Sequence, residues 1–297
     1  MLAVRLAMAA NCTDPGIAPP CGRCPTCKQI AAGTHPDVIA VEPDDSRATA
    51  NIPVEAIREV VRQAGFHRYN ARRRIIIIDP TEAMGPSAAN ALLKTLEEPP
   101  QGTGFILIAS NASALLPTIL SRCQRIRFGA VPTATIADWL ATRGHDDTAL
   151  AARFAQGCPG RALQLVDGGL AERLALRSRL FEVLAGGLQN IFDWSGEVVD
   201  GKRQDWVRRV ESVLEVVEDL LRDVVICASG SGADLQNSDI PEIVQRWTGA
   251  LWPEGVSACA TAIQEARDNL EVNVTGKTAF DALVLSLKRE LGPAARG

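Results

Sequence analysis

Four of the chain's eight cysteines fall in one short stretch, "NCTDPGIAPPCGRCPTC" (Asn11–Cys27), where Cys12, Cys21, Cys24 and Cys27 are spaced C-x8-C-x2-C-x2-C. A C-x2-C turn places two thiolates on one ion, and four soft ligands in a tetrahedron are what zinc takes. Pro15, Gly16, Pro19, Pro20, Gly22 and Pro25 supply the tight turns between ligands. Four protein ligands leave no open coordination position, so the expected metal is a structural staple rather than a reagent. Two other readings are a loop of free thiols and a thioredoxin-like redox pair; the second would have to follow a strand and open a helix. Cys123, Cys158, Cys227 and Cys259 are scattered and are expected to pack as small buried apolar side chains.

Zinc at a thiolate cluster suits a reducing compartment, and the rest of the chain agrees with one. "MLAVRLAMAA" lacks the basic start and long apolar centre of an export signal. No apolar run approaches the ~18 residues that span a bilayer. The expectation is a cytoplasmic protein without a membrane partner. Of the 297 residues, 46% are apolar and 22% charged, enough for more than one core. A net charge of -4 argues against a protein that coats nucleic acid by itself. Local basic patches remain, chiefly Arg68, Arg72, Arg73 and Arg74 in "RYNARRR". Their simplest role is a solvated lead-in to a strand; contact with DNA or a protein partner is the alternative.

The elements that would position these residues alternate along the first part of the chain. Residues 2–11 predict a short helix, "HPDVIAVEP" (His35–Pro43) a buried strand, and "IPVEAIREVVRQAG" (Ile52–Gly65) an amphipathic helix closed by its glycine. "IIIID" (Ile75–Asp79) predicts a strand buried on both faces and ending in a carboxylate. A helix follows at Gly85–Pro100, started by Pro86 and stopped by Pro99–Pro100. A buried strand is expected at Gly104–Ser110, a helical turn at Leu115–Cys123 and an alternating strand at Gln124–Phe128. Strand–helix alternation of this kind predicts a parallel sheet over residues 1–128. From Pro132 onward every periodic segment is helical, including "DWVRRVESVLEVVEDLLRDVVICASG" and "KTAFDALVLSLKREL". The fold class is therefore α/β followed by all-α.

The cysteine module, "GTHPD" (Gly33–Asp37), "IIIIDPTEAMGPSAANALLKTLEEPP" and "LLPTILSRCQRIRF" occur in that order. Together they resemble the bacterial DNA polymerase III clamp-loader family, strongly over residues 1–128. Beyond that the resemblance is weaker, through "GCPGRALQL" and "NLEVNVTGKTAFDALVLSL". It implies an AAA+ core with a P-loop-NTPase-like parallel sheet at 1–128, a helical lid at 129–180 and a helical collar at 181–297. It also implies a hetero-pentameric ring with gamma/tau and delta subunits, which places a sliding clamp on primed DNA.

Whether such a chain hydrolyses ATP turns on four features. A P-loop, G-x-x-x-x-G-K-[ST], is not found; "VNVTGKTAF" holds a GKT, but Glu271 stands where its first glycine should be. "LAVRLAMAANC" resembles the helix that follows a P-loop, so two expectations stand: a start assigned too late, with the first strand and loop preceding Met1, which is favoured because losing that strand would expose apolar surface of the sheet, or a shortened subunit that has lost them. Asp79 matches a Mg²⁺-associated carboxylate, yet the catalytic glutamate's place holds Pro80. Glu82 is expected to face solvent or cap the next segment. Ser110 or Asn111 stands at a phosphate-sensing position, with Asn111 also suited to a turn. In the lid, the sensing arginine's place falls on Gly160, with Arg161 about 100° further round the helix. "SRC" (Ser121–Cys123) is intact, so Arg122 is expected to act in trans as an arginine finger on a neighbour's ATP. The pattern implies the non-hydrolysing, delta-prime kind of subunit. An active gamma-type ATPase, or a zinc adaptor outside replication, are the competing readings.

Overall fold

The computed structural model of the chain describes residues 2–14, 16, 18–43, 51–271 and 275–295. Pro15, Ile17 and Val272–Val274 of the motifs above lie outside them. Two compact units result, Met1–Arg127 and Phe128–Gly297.

The first unit is mixed α/β. Its parallel sheet has the order β1 (Val38–Val41), β2 (Arg74–Ile78), β3 (Thr103–Leu107). The central strand β2 is buried from end to end. Side chains alternate across a strand, so Ile75 and Ile77 enter one layer and Ile76 and Ile78 the other. Below lie α1 (Leu2–Asn11) and α2 (Pro25–Ala31), through Ala3, Ala7, Met8, Cys27 and Ile30. Above lie α3 (Val54–Ala64), α4 (Pro86–Glu97) and the short α5 (Pro117–Leu120), through Ile57, Val60, Ala88, Leu92 and Ile119. Burying each isoleucine contributes about 1.5–3 kcal/mol, and this layering explains the unbroken apolar run.

Three expectations fail in this unit. β1 and β3 are shorter than expected and only partly buried, because they flank the central strand. Gln124–Phe128 forms no strand; Ile126 and Phe128 are 65% and 73% exposed. Alternation allows a segment to lie half-buried in a sheet, but its backbone needs a partner strand, and none of the described strands pairs with it. Arg74, expected in solvent, is 6% exposed.

The second unit is all-helical: α6 (Thr133–Ala141), α7 (Thr148–Phe154), α8 (Pro159–Gln164), α9 (Leu170–Ala185), α10 (Leu188–Val198), α11 (Arg203–Ser229), α12 (Pro241–Leu251), α13 (Glu254–Glu271) and α14 (Gly276–Ala295). A π-turn over Leu165–Gly169 separates α8 from α9, with Gly168 at φ +123°, a conformation only glycine adopts easily. Ile136, Leu140 and Phe154 centre a smaller apolar cluster over α6–α8. A larger one is built by α9–α14 around Trp194, Trp206, Trp247 and Phe280. Among the described residues no helix is long and apolar enough to cross a membrane.

Candidate functional site

The four module cysteines converge: their sulfurs all lie within 4.8 Å of one another. Cys12 follows α1, Cys24 caps the N-terminus of α2, and Cys27 sits in the first turn of α2 with Pro25 preset at its start. Two amides point at sulfur, Cys24 N to Cys21 Sγ at 3.3 Å and Cys27 N to Cys24 Sγ at 3.4 Å. Asp14 shapes the intervening loop, accepting from Gly16 N at 2.9 Å and Arg23 Nε at 3.0 Å. The thiols are polarised in opposite senses. Hydrogen bonds from the Thr13 backbone and side chain and from Cys27 N bring Cys24 down to about 5, whereas burial pushes Cys27 up to about 12. A tetrahedron with Zn–S of about 2.3 Å has sulfur–sulfur edges of about 3.8 Å, and Cys21 Sγ lies 4.0 Å from Cys27 Sγ. The residues fit a closed, all-thiolate zinc site. Of the scattered cysteines Cys259 is buried as expected and Cys123 half-buried, but Cys158, just before α8, and Cys227, in α11, are exposed.

At the C-terminal end of the sheet, Asp79 is exposed beside Pro80. Glu82 neither caps the next segment nor stands free. It accepts from Ser110 N at 2.6 Å, Ser110 Oγ at 2.5 Å and Asn111 N at 3.0 Å, tying the 81–83 turn to the segment that follows β3. Burial works to raise this carboxyl, but the Ser110 hydroxyl and the amides hold it below the usual glutamate range. Asn111 caps its own turn, its Oδ1 accepting from Ser113 N at 2.9 Å. Both candidate sensing residues are thus engaged locally.

Arg122 ends the α5 turn. Its Nη1 donates to Thr118 O at 2.8 Å and Ser121 Oγ at 3.2 Å, and its Nη2 pairs with Glu97 at the end of α4. The side chain is 31% exposed, and a guanidinium's five N–H groups leave its Nε–H and one Nη2–H for an outside acceptor. In the helical unit Arg161 pairs with Glu215 Oε2 at 2.7 Å. The GKT glycine opens α14, where an added Cβ would stand 2.6 Å from the Trp206 ring, so Gly276 serves packing rather than phosphate binding.

"GTHPD" has a structural role that sequence reasoning missed. Asp37 is fully buried and accepts from Tyr69 N at 2.8 Å, Asn70 N at 3.0 Å, Ala71 N at 3.1 Å and Arg74 Nη2 at 2.8 Å. Arg74 also donates to the carbonyls of Gln63, Phe66 and His67 at the end of α3. Burial opposes ionisation of Asp37, yet Arg74 and the three amides bring it down to about 2. His35 supports the turn, its Nδ1 accepting from Asp37 N at 3.1 Å. The available signal was an acid at the mouth of an apolar strand with an arginine opening the next one.

The family model described as DNA polymerase III, delta subunit matches residues 1–132. The DNA polymerase III subunit delta' of Escherichia coli K12 is 29% identical over 288 residues, covering 95% of this chain and 83% of that protein. This chain belongs to the DNA polymerase III delta' family. The delta' subunit of Bacillus subtilis 168 is 28% identical over 295 residues, covering 96% of this chain and 86% of its own length. The tau subunit of the same strain is 36% identical over 130 residues, but the match covers only 44% of this chain and 22% of tau. The delta' relatives therefore span both units, whereas the shorter tau match does not.

Proposed function

We propose that this chain is a non-hydrolysing delta' subunit of a clamp loader. It joins gamma/tau and delta subunits in a hetero-pentameric cytoplasmic ring that sets a sliding clamp on primed DNA. Residues 1–128 act as the AAA+ core, 129–180 as a lid and 181–297 as the collar. Cys12, Cys21, Cys24 and Cys27 hold one structural zinc, which fastens the module against α1, α2 and the lower face of the sheet. The observation that carries the reading is the strand end. Asp79 stands where a Mg²⁺-associated carboxylate belongs, but Pro80 can neither accept a proton nor orient water. The next carboxylate, Glu82, is held by Ser110 and Asn111. Asn111, at the sensing position, is engaged in its own turn. Arg122 is the residue that acts, in trans: exchanging Glu97 for a neighbour's γ-phosphate brings a permanent positive charge to the transition state.

Reconstitution with tau/gamma and delta subunits, clamp and primed DNA tests this. Loading is expected to require the chain. Arg122→Ala is expected to remove the ~10³-fold or greater acceleration that such a guanidinium gives the site it serves. Unchanged loading and hydrolysis with Arg122→Ala would rule out the trans role.

A further inference from the structure

We propose that the loop Phe66–Arg73 is a binding surface for single-stranded nucleic acid, with Arg72 and Arg73 on the phosphates and Tyr69 as a stacking platform. The surface belongs to the chain itself, whatever ring the chain joins.

The loop concentrates charge that the whole chain lacks. Phe66 to Arg73 holds three arginines and no Asp or Glu, against a net charge of -4 for the chain. Its backbone is pinned at both ends. Asp37 holds three consecutive amides, Tyr69 to Ala71. Asn11 accepts from Arg73 N at 2.8 Å and donates to Arg73 O at 3.0 Å. Arg68 fastens the flank, donating to Gln101 O at 2.8 Å and lying over Gly102, where any Cβ would collide with its guanidinium. What remains faces outward. Tyr69, the chain's one tyrosine, is 79% exposed. Arg72 and Arg73 are exposed and form no ion pair or side-chain hydrogen bond among the described residues.

A fixed backbone, an uncovered ring and two unengaged guanidiniums are the parts of a single-strand site. Arginine meets phosphate with paired N–H groups, and an aromatic face accepts any base. Because the loop is already ordered, binding costs little conformational entropy. An acidic protein surface would satisfy the arginines but offer the ring no stacking partner.

The test is fluorescence anisotropy of a labelled oligodeoxythymidylate titrated with the full, zinc-replete chain over a salt series. Binding is expected at low salt, weakening steeply as salt rises. Arg72→Gln with Arg73→Gln should weaken it at least ~10-fold and flatten the log–log salt slope by about 1.4, two phosphate contacts on a single strand. Tyr69→Ala should weaken binding ~5-fold or more at an unchanged slope, and Tyr69→Phe should restore it. These side chains lie outside the core, so circular dichroism should match the unaltered chain. No binding at low salt, or unaltered binding by the arginine variant, would overturn the proposal. So would an arginine effect with no Tyr69 effect, which would leave phosphate contact without a stacking platform.

Discussion

The α/β unit carries two kinds of polar centre, and they are finished in opposite ways. In the cysteine module four thiols converge and two amides are already aimed at sulfur. At the strand end, Glu82, Asn111 and Arg122 each find a partner inside the chain. The first is a donor set completed from outside. The second is closed on itself, apart from Asp79, the unpartnered Oε2 of Glu82 and the spare N–H groups of Arg122. The contrast teaches that residues standing at nucleotide-site positions can serve the fold alone, and that hydrogen-bond partners, more than residue type, distinguish the two cases.

The most severe way to break the comparison is at Cys27, which is fully buried. Structural zinc sites carry apparent binding energies of about 10–16 kcal/mol. Cys27→Ala is therefore expected to abolish zinc content and unfold the module, as read by elemental analysis and thermal melting. Full zinc occupancy in that variant would dissolve the distinction.

Asp37 provides the next largest effect, since it is a closed centre more deeply buried than Glu82. Asp37→Asn removes the charge that Arg74 faces and should lower stability by about 3–5 kcal/mol in urea unfolding. The same pair sets an acid limit. A folded value near 2 lies below the unfolded aspartate value, so the stabilisation is full above the unfolded value. About 2 kcal/mol should be lost as pH falls through that range toward 2, and the Asp37→Asn variant should lack this acid-dependent loss.

Glu82→Gln sharpens the comparison at the strand end itself. It keeps the shape but loses charge-assisted acceptance, and should cost about 1–2 kcal/mol. The Glu82 contribution should fade as pH falls below the usual glutamate range, because its folded value is depressed. The smallest effect is expected from Arg161→Ala. Its pair with Glu215 is 30% and 47% exposed, which places the loss at about 1 kcal/mol or less by thermal melting.

Legibility followed sequence distance. The cysteine spacing, the four isoleucines of β2 and the proline-bounded α4 are local patterns, and each is visible in a few consecutive residues. The Asp37–Arg74, Glu82–Ser110 and Glu97–Arg122 contacts join residues 37, 28 and 25 positions apart. No period links such pairs, because the chain path between strands decides which of them meet. The misread strand at Gln124–Phe128 fails for a related reason: alternation describes one strand, whereas a sheet requires two.

The measurement that bears most directly on the central claim is single-turnover hydrolysis of ATP with Mg²⁺ by the purified chain alone. A closed strand end with Pro80 beside Asp79 predicts no turnover above background. Hydrolysis that disappears in Asp79→Asn would contradict the account, by showing that the strand end is a working catalytic site.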